Sequence, residues 1–140
     1  MDNLIVLFID DEVEFLETLM KRMNKRGVKA MGAASGEEGL KHLGQHPVDV
    51  VVLDVKMPGL DGIQTLQEIK KIKPLVEVIM LTGHASLETA SEGMTMGAFD
   101  YLMKPIDIDE LLYKIQDACK VKRILEDKIK SIKRVISESE

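Results

Sequence analysis

Short unbroken apolar runs alternate along this chain with longer stretches in which apolar residues recur every three or four positions. Leu4-Ile5-Val6-Leu7-Phe8-Ile9 and Val48-Asp49-Val50-Val51-Val52-Leu53 read as strands apolar on both faces, apart from Asp49, as the central strands of a parallel sheet are. With them the pattern predicts strands near 4–9, 28–34, 48–53, 76–81 and 98–103. Helices are predicted near 13–26, 36–44, 62–72, 86–96 and from 107 onward. The stretch Val28-Lys29-Ala30-Met31-Gly32-Ala33-Ala34 is weaker and suits an edge. Ser35-Gly36-Glu37-Glu38 and Asp107-Ile108-Asp109-Glu110 resemble capping boxes, and Gly27 and Gly97 suit helix C-terminal positions. Regular alternation of this kind predicts an α/β, doubly wound domain of three layers.

The polar residues that break the pattern fall where such a sheet has its chemistry, beyond the carboxyl ends of its strands. Asp10-Asp11 closes the first strand, Asp54 closes the third, and Thr82 and Lys104 follow the fourth and fifth. Carboxylates at neighbouring strand tips are a candidate site for a hard divalent cation such as Mg²⁺, which takes oxygen ligands and keeps room for phosphate. Crowded carboxylates without a cation raise at least one pKa, so a metal or a nearby lysine is expected, and Lys104 is the candidate lysine.

At 140 residues the chain suits one domain with a real core, and 45% hydrophobic with 31% charged residues is a globular composition. The net charge of −5 argues against general polyanion binding, so no direct nucleic-acid contact is expected. Cys119 stands alone, which leaves no intramolecular disulfide and no cysteine-based zinc cluster. No run approaches the ~20 apolar residues of a membrane span. The N-terminus is wrong for a signal peptide, and a soluble, cytoplasmic protein is expected. His42 and His46 read as surface residues, and Cys119 as packing.

Taken with Met57-Pro58-Gly59-Leu60-Asp61-Gly62, Leu81-Thr82-Gly83 and Tyr101-Leu102-Met103-Lys104-Pro105, the pattern over roughly residues 3–120 resembles the receiver domains of two-component response regulators. The stretch Leu81-Thr82-Gly83-His84-Ala85 looks most like receivers of the nitrogen-regulation type. The resemblance implies a flavodoxin-like five-stranded parallel sheet of order 2-1-3-4-5. It implies that Asp54 accepts a phosphoryl group from a sensor histidine kinase or phosphotransfer protein. Asp11, Asp54 and the backbone carbonyl of Lys56 would hold Mg²⁺, with Asp10 acting through water. Lys104 would neutralise phosphoryl charge and Thr82 would bond a phosphoryl oxygen, with Thr82 and Tyr101 as the switch. A cis bond before Pro105 is also implied, and Lys56 and His84 are candidates for tuning the phosphoryl lifetime. Such a module would be a signalling domain rather than an enzyme, acting on a downstream protein target or output domain.

Two other readings stay open. An aspartyl-phosphate phosphohydrolase could use Asp54, although Asp54-Val55-Lys56 lacks the Asp-x-Asp signature of that chemistry. A degenerate receiver could serve only as a dimerisation scaffold. The receiver is expected over residues 1–120, with a helical extension over 121–140. There the spacing 111, 115, 118, 122, 125, 129, 132, 136 is a heptad stripe broken only by Lys122, and residues 120–134 hold seven basic and two acidic side chains. The extension reads as a dimerising or linker helix, giving a possible homodimer.

Overall fold

The computed structural model describes residues 3–56, 61–83 and 86–139. Five strands, β1 Ile5–Ile9, β2 Lys29–Ala33, β3 Val50–Asp54, β4 Glu77–Thr82 and β5 Asp100–Met103, alternate with five helices. The helices are α1 Val13–Lys25, α2 Gly36–Gln45, α3 Gly62–Ile72, α4 Leu87–Thr95 and α5 Ile108–Ser139. All pairings are parallel and the sheet order is β2-β1-β3-β4-β5, so the weak second strand is an edge, as its sequence suggests.

Because β3 is buried along its whole length, its side chains feed two separate cores. Val50 and Val52 join Leu16, Leu19, Met23, Leu111 and Ile115 under α1 and α5. Val51 and Leu53 join Leu43, Leu66, Ile69 and Ala90 under α2, α3 and α4. This period of two across a continuous apolar run is what a strand covered on both faces requires.

Helix ends are fixed by local chemistry. Asp61 and Gln64 form a reciprocal capping box at the start of α3. Ser35 Oγ accepts from the Glu38 N–H, but the Glu38 carboxylate takes the N–H of Ala34 rather than that of Ser35, so the expected box is displaced by one residue. Asp107 accepts from the N–H groups of Asp109 and Glu110 at the start of α5. Gly27 and Gly97 end α1 and the α4 segment at φ +84° and +105°, a region that suits glycine.

Asp49 is not the blemish in a strand that the sequence suggests. It lies at the amino end of β3, where its Oδ2 accepts from the Ile5 N–H at 2.9 Å and its backbone N–H donates to the Ile5 carbonyl. Lys122 Nζ stands 3.5 Å from its Oδ1 and 3.1 Å from Glu126 Oε1, and Arg123 Nη2 stands 3.6 Å from its Oδ2. Lys122, the break in the heptad stripe, is therefore the bolt that fastens α5 to the base of the sheet. No helix among the described residues is long and apolar enough to cross a membrane.

Candidate functional site

At the carboxyl end of the sheet, β3 ends in Asp54 and β1 runs into Asp10, and both side chains are nearly sealed from solvent. Asp54 pairs with Leu81 across β3 and β4, and the Val55 N–H donates to the Leu81 carbonyl at 3.1 Å, which brings the Thr82 tip alongside. The Lys104 N–H donates to the Thr82 carbonyl at 2.8 Å and carries the lysine to the same end. The Lys104-Pro105 bond is cis, as expected.

Lys104 Nζ stands 3.2 Å from Asp10 Oδ2, 3.5 Å from Glu12 Oε1 and 3.9 Å from Asp54 Oδ2, above the Phe15 ring at 4.5 Å from its centroid. One cation thus serves three carboxylates. Burial penalises the charged form of Lys104, but Asp54, Asp10 and Glu12 outweigh it and hold its pKa above the ordinary value. Burial also raises Asp10, against the Glu12 N–H and Lys104, which favour its charge. Asp54 is pushed up to about 6, by burial first and then by the Asp10 charge, with the Lys56 N–H and Lys104 opposing.

Carboxylate oxygens of Asp10, Glu12 and Asp54 lie within 4.8 Å of one another, an all-oxygen set suited to a hard divalent cation. The buried, charge-starved state of Asp54 is the observation that such an ion answers. Glu12 was missed in the sequence because it sits at the N-terminal boundary of α1, where an acidic residue reads as helix-end electrostatics. Asp11, expected as a ligand, is exposed and outside this converging set, although its charge still raises Asp54.

The Lys56 N–H donates to Asp54 Oδ1 at 3.2 Å and its side chain is exposed beside the site. The Thr82 hydroxyl is buried and donates to the Gly83 carbonyl at 3.0 Å, so it is spoken for in this state and does not cap α4. Tyr101 on edge strand β5 is 40% exposed, with its side chain outward. His84 and the turn Met57-Pro58-Gly59-Leu60 lie outside the described residues.

Residues 6–116 match the profile described as the response regulator receiver domain. A putative NtrX-like response regulator of Rickettsia typhi is 34% identical over 100% of this chain and 30% of its own length. The transcriptional regulatory protein ZraR of Escherichia coli is 37% identical over 84% of this chain and 26% of its own. The chain therefore spans less than a third of the length of these relatives. Among solved structures, a response regulator receiver domain protein from Clostridium thermocellum superposes with a TM-score of 0.84 at 40% identity, covering 87% of this chain and 98% of that one. NtrX from Brucella abortus gives 0.85 at 28% identity, over 94% of this chain and 30% of that one.

Proposed function

The chain belongs to the response regulator receiver domain family of two-component signalling, and on that premise we propose that Asp54 is the residue that accepts the phosphoryl group. The observation that carries the reading is a buried carboxylate at the tip of β3 with a lysine ammonium 3.9 Å away and a second buried carboxylate beside it. Phosphoryl transfer asks the protein for in-line positioning and charge stabilisation more than for covalent chemistry. An Asp54 oxygen forms the new bond to phosphorus as the phosphorus–nitrogen bond of a phosphohistidine breaks, and the histidine nitrogen keeps the electron pair and takes a proton.

Asp10, Asp11 and Asp54, with the Lys56 carbonyl, would hold Mg²⁺, and Glu12 joins them as a nearby acidic group. The bound ion supplies charge neutralisation for the carboxylates and the incoming phosphoryl oxygens. Lys104 already faces the acceptor, so a phosphoryl group on Asp54 draws its ammonium away from Glu12. The Thr82 hydroxyl exchanges the Gly83 carbonyl for a phosphoryl oxygen. The change at Thr82 is passed to Tyr101 at the exposed β5 edge, which makes the surface around β5 the output face. Lys56, exposed one residue beyond Val55, limits access of the hydrolytic water to the aspartyl phosphate, and His84 is proposed for the same role. A histidine kinase or phosphotransfer protein is the upstream partner. The downstream target acts on the β5 face or is joined through the chain's continuation, and no nucleic-acid contact is proposed for these residues.

The test is intact mass after incubation with Mg²⁺ and a small phosphodonor such as acetyl phosphate. One added phosphoryl group is expected on the wild type and none on Asp54→Asn. An unmodified wild type would leave the scaffold reading in its place, and multiple turnover of phosphate esters would point to a hydrolase.

A further inference from the structure

Lys104 is held on one side by something other than a charge. Its Nζ lies 4.5 Å from the centre of the Phe15 ring, on the first turn of α1, while Asp10 and Glu12 accept from it at 3.2 and 3.5 Å. Asp54 Oδ2, at 3.9 Å, is in ionic but not hydrogen-bonding contact, so the side facing the acceptor carries the weakest hold. Phe15 itself is half-buried and packs against the core that contains Leu16, Leu19 and Leu111. That packing fixes the ring through its two side-chain torsions and leaves one face to the ammonium.

A lysine side chain turns about four bonds, and keeping its ammonium in front of an acceptor costs rotamer entropy. A further carboxylate would hold it strongly, but would add negative charge where Asp10, Glu12 and Asp54 already crowd and where a phosphoryl group brings more. A water would occupy an N–H and open the site to solvent. The face of an aromatic ring attracts the cation through its quadrupole, carries no net charge and excludes water. The attraction reaches to about 6 Å from the ring centre, so from 4.5 Å the ammonium has about 1.5 Å of travel before it is lost.

We infer that Phe15 is a positioning residue for phosphoryl transfer: its ring holds the Lys104 ammonium beside Asp54 before the phosphoryl group arrives, and keeps hold of it as it turns from Glu12 to a phosphoryl oxygen. The inference rests on Asp54 as the acceptor. Phe15 makes and breaks no bond; it sets where the neutralising charge stands when the bond to phosphorus forms.

The test places phenylalanine carrying one, two or three ring fluorines at position 15, beside Phe15→Leu and Phe15→Tyr. Fluorine drains the ring face of electron density and barely changes its shape, so packing is kept while the hold on the cation weakens step by step. The rate of phosphorylation by acetyl phosphate with Mg²⁺, read by intact mass, should fall with each fluorine, by about fivefold at three and in Phe15→Leu, and should stay near wild type in Phe15→Tyr. In the resting protein without phosphodonor, the Lys104 ε-methylene protons should resonate upfield through the ring current, lose that shift in Phe15→Leu and keep it in Phe15→Tyr. An ordinary Lys104 resonance in the wild type, rates that are flat or rise along the fluorine series, or a slowing in Phe15→Leu alone would overturn the inference and leave Asp54 as the acceptor. A wild type that takes no phosphoryl group, with the upfield resonance present, would instead overturn the acceptor reading and this role with it.

Discussion

Asp54 is held in an unfavourable ionisation state, and removing its charge should make the metal-free domain more stable. Its pKa is pushed from the ordinary 3.8 to about 6. At 1.36 kcal/mol per unit, the ionised side chain costs about 3 kcal/mol at pH 7. The direction follows from proton uptake. Between the two pKa values the folded state binds the proton and the unfolded state does not, so stability falls as pH rises through that window. Asp54→Asn keeps an oxygen acceptor for the Lys56 N–H and removes the charge. At an unfolding entropy of ~2 cal/mol/K per residue, about 3 kcal/mol corresponds to a rise of roughly 10 °C in Tm. The assay is thermal unfolding by circular dichroism in EDTA, on wild type and variant at pH 7 and pH 5. The gap should shrink by about half at pH 5, where Asp54 in the wild type is mostly protonated. Equal Tm values at pH 7, or a gap that holds or widens on acidification, would refute the reasoning.

Saturating Mg²⁺ should raise the wild-type Tm, by the equivalent of about 2.7 kcal/mol at one hundred times its Kd, and most of that rise should vanish in Asp54→Asn. Equal rises in both proteins would place the ion elsewhere. Gly62→Ala puts a methyl 2.4 Å from the Val55 Cα and 2.7 Å from its carbonyl oxygen, backbone that cannot step aside. A loss of about 2 kcal/mol in urea and slower phosphorylation are expected, whereas Gly44→Ala, which meets nothing within 4 Å, should be neutral or mildly stabilising. Asp49→Ala leaves the Ile5 N–H without its acceptor and Lys122 with Glu126 alone. It should cost about 2 kcal/mol and speed hydrogen exchange at Ile5; unchanged protection there would contradict the anchoring role.

The strands were legible because β1 and β3 are buried on both faces, and burial on both faces writes an uninterrupted apolar run into the chain. Sheet order was a different matter. The weak apolar pattern of Lys29–Ala33 marks β2 as an edge, but nothing in it says that the neighbour is β1, and that placement came from the resemblance. Asp10, Asp54 and Lys104 could be read because each sits where an apolar strand stops. Glu12 could not, since its approach to Lys104 depends on a contact 92 residues apart in the chain. Asp49 and Lys122 were misjudged as interruptions for the same reason. Each looks like a fault in a periodic pattern until the partner from a distant segment is in place.

The division of the interior into two cores also sets an order of events as the chain is made. Leu43, Leu66, Ile69 and Ala90 cover one face of the sheet and precede β5 in the sequence, so that side can close early on a ribosome. The other face needs Leu111, Ile115, Ala118 and Cys119 from α5 to cover Val6, Phe8, Val50 and Val52. A nascent chain that has reached α4 therefore has one face of the sheet covered by three helices and the other by α1 alone, with Lys104 still to come. Completion waits on the same helix that runs out to form the tail.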